Sequence, residues 1–504
     1  MNNHFRRSES PPEPNLKRAY ARIDHIEADE NSYVLLIAFD LVDAQWLDAQ
    51  GLQDPLLDLQ HPRECAQAWT NWKTQQNQQN THNPFESMPL YRLELEVPVG
   101  IYLFDALQLP NPRERDSFSA VTGALENSWF QFDVSLRREI GYQLASLYTN
   151  LFANPVPVYV RGRLPPAATN ASLSGIFDLG HLPAISLADF EAKLANKDAD
   201  YLAVYDVGQG NANAILSISR FGEPGLPTLY YDLGAGVYRN QRTTPHSLVF
   251  CFSDDPLIVL SHWDADHWAG AYAVEVNGQY PALKQTWIAP LQDVGPLHVA
   301  FANDVRANGG QFFTYSAPTG TVGVAPPHNG KQMRFTLGKG RDRNDSGIVL
   351  VVEDLIHSVS RSWLLTGDCD YRHFVKILKP FPPVAMVVPH HGADLHRKTP
   401  VPKPPPGAQY KKLLYSFGPK NQHGKTNVQH PTTLGMSVHN STDWDHQYWD
   451  LLSPGECLPG GDVFATCDHL SGFRSGAIVG WDGPPSNFAA PCGGRQCNSP
   501  LTQG

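Results

Sequence analysis

Four side chains able to bind a metal ion fall within six positions of this chain. They are His262, Asp264, Asp266 and His267, in the run Ser-His262-Trp-Asp264-Ala-Asp266-His267-Trp-Ala-Gly270. The apolar run Ile258-Val-Leu directly precedes them. Alternate side chains of an extended or tightly turned segment share a side, so His262, Asp264 and Asp266 can converge, and His267 joins as the next element begins. Imidazole and carboxylate together suit zinc, manganese or iron. A polar turn capping a helix accounts for one aspartate, not for all four groups.

Further short motifs stand in order along the chain: Asp206-Val-Gly-Gln-Gly210-Asn-Ala, Tyr231-Asp232-Leu-Gly234, Asn344-Asp-Ser346-Gly-Ile-Val-Leu, Leu365-Thr-Gly367-Asp368 and Val388-Pro-His390-His391-Gly392. Ser416-Phe-Gly and His430-Pro431 follow. Together with His-x-Asp-x-Asp-His, this series resembles the metallo-β-lactamase superfamily. The carboxylate at 264, where most members carry a second His, is similar to the hydrolase domain of the competence protein ComEC and its soluble relatives. The likeness spans residues 200–480, roughly, and none of it reaches the N-terminal part.

The resemblance implies an α/β chain with the αββα four-layer sandwich of that superfamily, preceded by a mixed α/β or β-rich N-terminal domain. It implies two divalent metal ions, Zn or Mn, held by His262, Asp264, Asp266, His267 and Asp368, with Asp368 bridging them. Replacing an imidazole by a carboxylate hardens the site and tilts it toward manganese. His391 fits the family's His-Gly pattern better than His390, which stays open as a ligand or as a donor to substrate. Asp206 and Asp232 are expected to orient histidines rather than bind metal, and Asn344 and Ser346 support the site. For the third ligand of the first metal the sequence offers His298 and His328, in contexts that match no motif.

The activity implied is that of a metal-dependent hydrolase, a phosphodiesterase and first of all a nuclease, with a bridging hydroxide attacking phosphorus. Asp266 and Asp368 would be catalytic, with His430 or His423 the acid for the leaving oxygen. A small-molecule hydrolase for a cyclic nucleotide, lactone or thioester is the alternative. A catalytically silent binding protein is another, and a role as a prokaryotic defence effector is an analogy.

Charge bears on the substrate. The chain has 39 Lys and Arg against 50 Asp and Glu, a net charge of −11, which disfavours indiscriminate polyanion binding. Yet Leu395 to Thr442 contains no acidic residue and holds Arg397, Lys398, Lys403, Lys411, Lys412, Lys420 and Lys425. Lys339, Arg341 and Arg343 lie just before Asn344. Such segregation predicts a positive face for a nucleic acid or nucleotide substrate.

The elements that must position these residues read as short apolar strands from Tyr201 onward, several ending at His or Asp. Before them the sequence divides into 1–165, a domain of unknown function that could recruit a protein partner, and 166–198, a linker with a lead-in helix capped by Ser186. The remainder, 199–504, is the hydrolase domain. Within the first part, Ser32–Val42 and Leu90–Phe104 read as strands, Thr74–Asn83 as a polar loop, and Arg137–Leu151 as a helix by its apolar spacing. Arg161–Ser172 has linker composition. With 41% hydrophobic residues the chain can build a sizeable core. No apolar run nears the roughly 18 residues of a membrane helix, and no secretory signal opens it, which makes the cytoplasm the expected compartment. Seven cysteines, four of them Cys457, Cys467, Cys492 and Cys497 near His469, lack the paired spacing of a zinc ribbon.

Overall fold

A computed structural model describes residues 1–7, 14–29, 34–53, 84–98, 128–220, 222–246, 248–357, 359–423, 429–446, 461–467, 474–485 and 501–503. The expected loop 74–83, Lys425, His469 and the cysteines 65, 457, 492 and 497 lie outside them. Two compact units emerge. One comprises Met1–Pro183, Gln292–Phe312 and His423–Val428, the other Ala184–Leu291, Phe313–Gln422 and Gln429–Gly504.

The first unit is built on six antiparallel strands: β1 (Arg18–Asp29), β2 (Val34–Asp43), β3 (Leu90–Pro98), β4 (Trp129–Ser135), β5 (Gln143–Tyr148) and β6 (Val156–Arg163). They close into a barrel in the order β1-β2-β3-β5-β6-β4. Every second residue turns inward, as period-two geometry requires. Ala19, Ala21, Ile23, Phe39, Leu41, Leu93, Leu95, Leu147 and Val160 share that core. The intervening residues of β1 to β3 include Asp24, Asp40 and Arg92, also buried. The helix Pro296–Ala307 packs on β2 and β3 and brings His298 to them, with Nδ1 3.2 Å from Asp40 and Nε2 3.5 Å from Asp24. Arg92 pairs with Asp24 and lies 3.6 Å from Asp40, so two buried carboxylates face two basic groups. Charges buried in this way persist only when paired.

The second unit holds two sheets. The first contains β7 (Tyr201–Val204), β8 (Ala212–Ile218), β9 (Pro224–Leu233), β10 (Leu257–Val259), β11 (Thr286–Pro290) and β12 (Gln311–Tyr315), and on its other side β20 (Gly476–Val479) and β21 (Leu501–Gln503). The second runs β13 (Val322–Val324), β14 (Lys331–Leu337), β15 (Ile348–Asp354), β16 (Arg361–Leu365), β17 (Pro383–Val387), β18 (Lys412–Tyr415) and β19 (Val463–Ala465). Ile348, Leu350, Val352, Trp363 and Leu365 meet Leu202, Ile215, Leu229, Tyr231 and Val259 of the first sheet in one core. Val349, Val351 and Leu364, one residue out of phase, face a second cluster with Phe374, Leu378, Met436 and Trp444. β15 is therefore buried on both faces, which is why it reads as an unbroken apolar run.

This architecture corrects the expected αββα sandwich. The chain is mostly β, 33% strand against 21% helix, with a closed six-stranded antiparallel barrel and two further sheets. Among the described residues, no α-helix of the second unit exceeds eight residues. Motifs at strand ends specify strands and turns; they carry no information on what covers the sheets.

Two local expectations also change. Arg137–Leu151 contains strand β5 and no helix, because closing the barrel supplies its partners β3 and β6. The linker-like Arg161–Ser172 instead completes β6 and begins the helix Ala167–Ile176, anchored by buried Leu173 and Ile176. Cys251 is disulfide-bonded, while Cys369 and Cys467 are buried free thiols. The helix after Ser186 does form, at Leu187–Leu194, with the Ser186 hydroxyl accepting from the Asp189 N–H at 3.1 Å. Among the described residues no helix is long and apolar enough to cross a membrane.

Candidate metal centre

Strand ends supply the centre. β10 runs parallel to β9 and stops just before His262, while β16, β17 and β18 run parallel and stop before Asp368, His390–His391 and Ser416. Rigid strands thus deliver polar side chains to one edge. Between β10 and Gly270 the chain makes a 3-10 turn at Ala265–His267, walled by the buried indoles of Trp263 and Trp268. The Asp266 carbonyl is held by the Asn211 N–H at 3.2 Å, and Gly234 passes so close that a Cβ there would come 1.8 Å from that oxygen. The glycine of Tyr231-Asp232-Leu-Gly234 is thus required by close approach.

Each imidazole has one nitrogen committed. His267 Nδ1–H donates to Asp232 at 2.9 Å, His391 Nδ1–H to the Ser416 carbonyl at 2.8 Å, and His262 Nδ1–H to the Ser261 hydroxyl at 3.0 Å. Partners of this kind fix tautomer and ring direction and leave Nε2 as the lone-pair donor. The three Nε2 atoms and Asp368 Oδ1 are buried without a hydrogen-bond partner. Asp368 lies 3.1 Å from His267 Nε2, 3.8 Å from His262 Nε2 and 3.7 Å from His390 Nε2. Asp266 lies 3.2 Å from His391 Nε2 and 4.0 Å from His267 Nε2, and Asp264 lies 3.5 Å from His262 Nε2. Donor atoms each about 2.0–2.2 Å from one ion stand about 3–4 Å apart. In two groups, His262–His267–Asp368 and Asp266–His267–His391, one donor atom from each residue lies within 4.8 Å of the others. The donor set fits a divalent metal.

Electrostatics agrees with the fit. Burial pushes the Asp368 carboxyl up, but His267, His390, His391 and His262 hold it well below the ordinary carboxylate value. Burial likewise raises Asp266, and His267 and His391 bring it below its usual range. Burial alone would lower His267, yet Asp368, Asp232 and Asp266 hold it well above normal; His391 is raised against burial by Asp368 and Asp266. Without metal, protons on imidazoles balance the buried carboxylates, and that is the charge a cation replaces.

The remaining expected residues separate into those at the centre and those away from it. His390 and His391 both have positive φ, 51° and 54°. The His391 side chain is buried there while the His390 side chain stays 36% exposed, so of the two His391 is the one placed with Asp266 and His267. His430 is buried with its ring 5.4 Å from that of His390. Asp232 orients His267 as expected. Asp206 does not orient a histidine; it forms a two-pronged ion pair with Arg474 at 2.6 and 2.8 Å. Asn344 and Ser346 form the 3-10 turn before β15, whose Ile348 N–H donates to the Ser261 carbonyl at 2.8 Å. Arg343 is buried and 3.6 Å from Asp264, whereas Lys339 and Arg341 are exposed. Lys411 is bound to Asp462 at 3.0 Å and Lys412 reaches the Gly461 carbonyl at 3.4 Å. Lys411 precedes β18 and Lys412 opens it, at the end away from Ser416. Lys420 is exposed. His298 and His328 are in neither of the two groups: His328 pairs with Asp198 at 3.1 Å, His298 stands with Asp24 and Asp40, and His423 pairs with Glu27 at 3.3 Å.

The sequence motifs assigned no role to Ser261 or Arg474, and named Ser416 without one. The Asn211 amide donates to Asp232 Oδ2 at 3.3 Å and accepts from Asn213 at 2.9 Å. An aspartate at 211 would set a second buried carboxylate against Asp232.

No protein-family model matches the chain, and no curated protein is a significant match.

Asp232→Asn should weaken divalent-metal affinity by about 10–100-fold by releasing the His267 ring. A competition titration against a chromophoric chelator reads this, and unchanged affinity would remove Asp232 from its orienting role. Because His267 and His391 carry raised pKa values without metal, metal uptake should expel protons and weaken as pH falls. Titration in dilute buffer with a pH indicator tests the sign; metal uptake without proton release contradicts it.

Proposed function

We propose that this chain is a metal-dependent hydrolase of phosphodiesters. The observation that carries the reading is that three imidazoles with Nδ1 committed hold buried, unpartnered Nε2 atoms, those of His262 and His267 beside Asp368 and those of His267 and His391 beside Asp266. Burying polar atoms unpaired costs about 1–3 kcal/mol each, so a cluster of them makes sense as a ligand set. Asp266, His267 and His391 would hold one ion, and His262 with Asp264 and Asp368 a second. When bound, the ions supply Lewis acidity and, through it, ionisation of water near neutral pH. The protein's own groups do the rest. Asp232, Ser261 and Ser416 keep the imidazoles aligned, and Trp263 and Trp268 exclude water from behind. His390, half-exposed at the mouth, is placed to hold a proton for a leaving oxygen, with His430 beside it. The buried Arg343 cation favours an anionic substrate.

The phosphodiester could belong to a nucleic acid or to a small nucleotide. Lys403 pairs with Asp443 and Lys411 with Asp462, both at 3.0 Å. Those pairs remove part of the basic track that a long polyanion would follow, and they favour the small nucleotide. A metal panel of Mn(II) and Zn(II) against single-stranded DNA, RNA and cyclic dinucleotides separates the two.

Asp368→Asn should lower turnover by about a thousandfold or more while leaving the thermal midpoint nearly unchanged. Full activity with a reduced midpoint would make Asp368 a structural ion-pair residue instead. Lys411→Gln with Lys412→Gln should leave both cleavage and its salt dependence as in the parent; a flattened salt slope would restore these lysines to the substrate path.

A further inference from the structure

The two candidate metal groups share one atom. His267 gives Nδ1 to Asp232, so it has only Nε2 to offer, and that nitrogen appears in both groups. An ion beside Asp266 and His391 that takes it has three protein donors. The other ion is then left with His262, Asp368 and Asp264. Asp264 in turn faces a competitor, for its Oδ1 lies 3.6 Å from the Arg343 guanidinium while Oδ2 faces His262 at 3.5 Å. Arg343 is buried, so its charge is poorly screened. It both draws on the carboxylate the second ion needs and repels a divalent cation placed there.

We propose that the centre binds its two ions unequally: one tightly at Asp266, His267 and His391, and one weakly at His262, Asp264 and Asp368, with Arg343 setting the difference. Arg343 is thus a positioning and charge-setting residue, and the resting protein carries a single ion at low metal supply. The inference rests on the metal-centre reading above. It gives the centre a second position that fills only when metal is abundant, or when an anion draws the guanidinium away from Asp264.

The test uses the full chain, stripped of metal by chelator dialysis and equilibrated with graded free Mn(II), bound metal being counted by elemental analysis. The parent should take up its first equivalent at a free concentration at least about tenfold below that of the second. Arg343→Met removes the charge and keeps a long side chain; it should bring the two steps within about threefold of each other without moving the first. Arg343→Lys keeps the charge and should keep the gap, and circular dichroism confirms that each variant is folded. If Arg343→Met fails to fold, Arg343→Gln answers the same question. Two equivalents bound in one step by the parent, or a gap unchanged without the charge, overturns the proposal. Absence of any bound metal in the parent overturns the metal-centre reading itself.

Discussion

One buried carboxylate organises the candidate site. Asp232 is fully buried at the end of β9, with a φ of 61°. It accepts from His267 Nδ1, from the Ser261 N–H at 2.7 Å, from the Ser261 hydroxyl at 2.9 Å and from the Asn211 amide. A charge so placed is tolerated only when its lone pairs are filled, and here the donors come from two motifs, Asn211 from one and Ser261 and His267 from the other. The Ser261 carbonyl receives the Ile348 N–H, and the Tyr231 hydroxyl donates to the Ile348 carbonyl at 2.6 Å, so the same few residues tie the two sheets together at the site. Aligning the ligands and joining the sheets are therefore one constraint.

The left-handed turn at Asp232 belongs to that constraint. Aspartate is among the few non-glycine residues that accept positive φ at modest cost. Its conformation aims the carboxylate across to Ser261 while Gly234, two residues on, slips beneath Asp266. The sequence Asp-Leu-Gly encodes a bend, an acceptor and a gap in three positions.

Much of this was legible in the sequence because ligand chemistry and strand ends are local features. Apolar runs that stop at Asp232, Ser261–His262, Asp368 and His390–His391 mark where a sheet edge lies. What was illegible is what depends on distant partners. Nothing near Asp206 announces Arg474, and nothing near Lys411 announces that Asp462 neutralises it, since the acid-free window ends just before those carboxylates. Asp24, Asp40 and His298 come together across more of the chain than any motif spans. The barrel escaped for a related reason: β5 is short, its apolar spacing suits helix or strand, and only its neighbours decide. The outer covering of the sheets is short helices and turns, which leave weak periodicity.

The helix Pro296–Ala307 comes from the middle of the chain, yet it completes the polar outer face of a barrel whose strands end at Arg163. During synthesis the barrel strands leave the ribosome long before His298 does. At about 5–20 residues per second the nascent barrel waits several seconds with Asp24, Asp40 and Arg92 uncovered. A truncation after Pro183 would make that interval permanent. In evolutionary terms the barrel is not a module that recombination could lift out at one junction: its last structural part is encoded inside its neighbour, so the two must be inherited together.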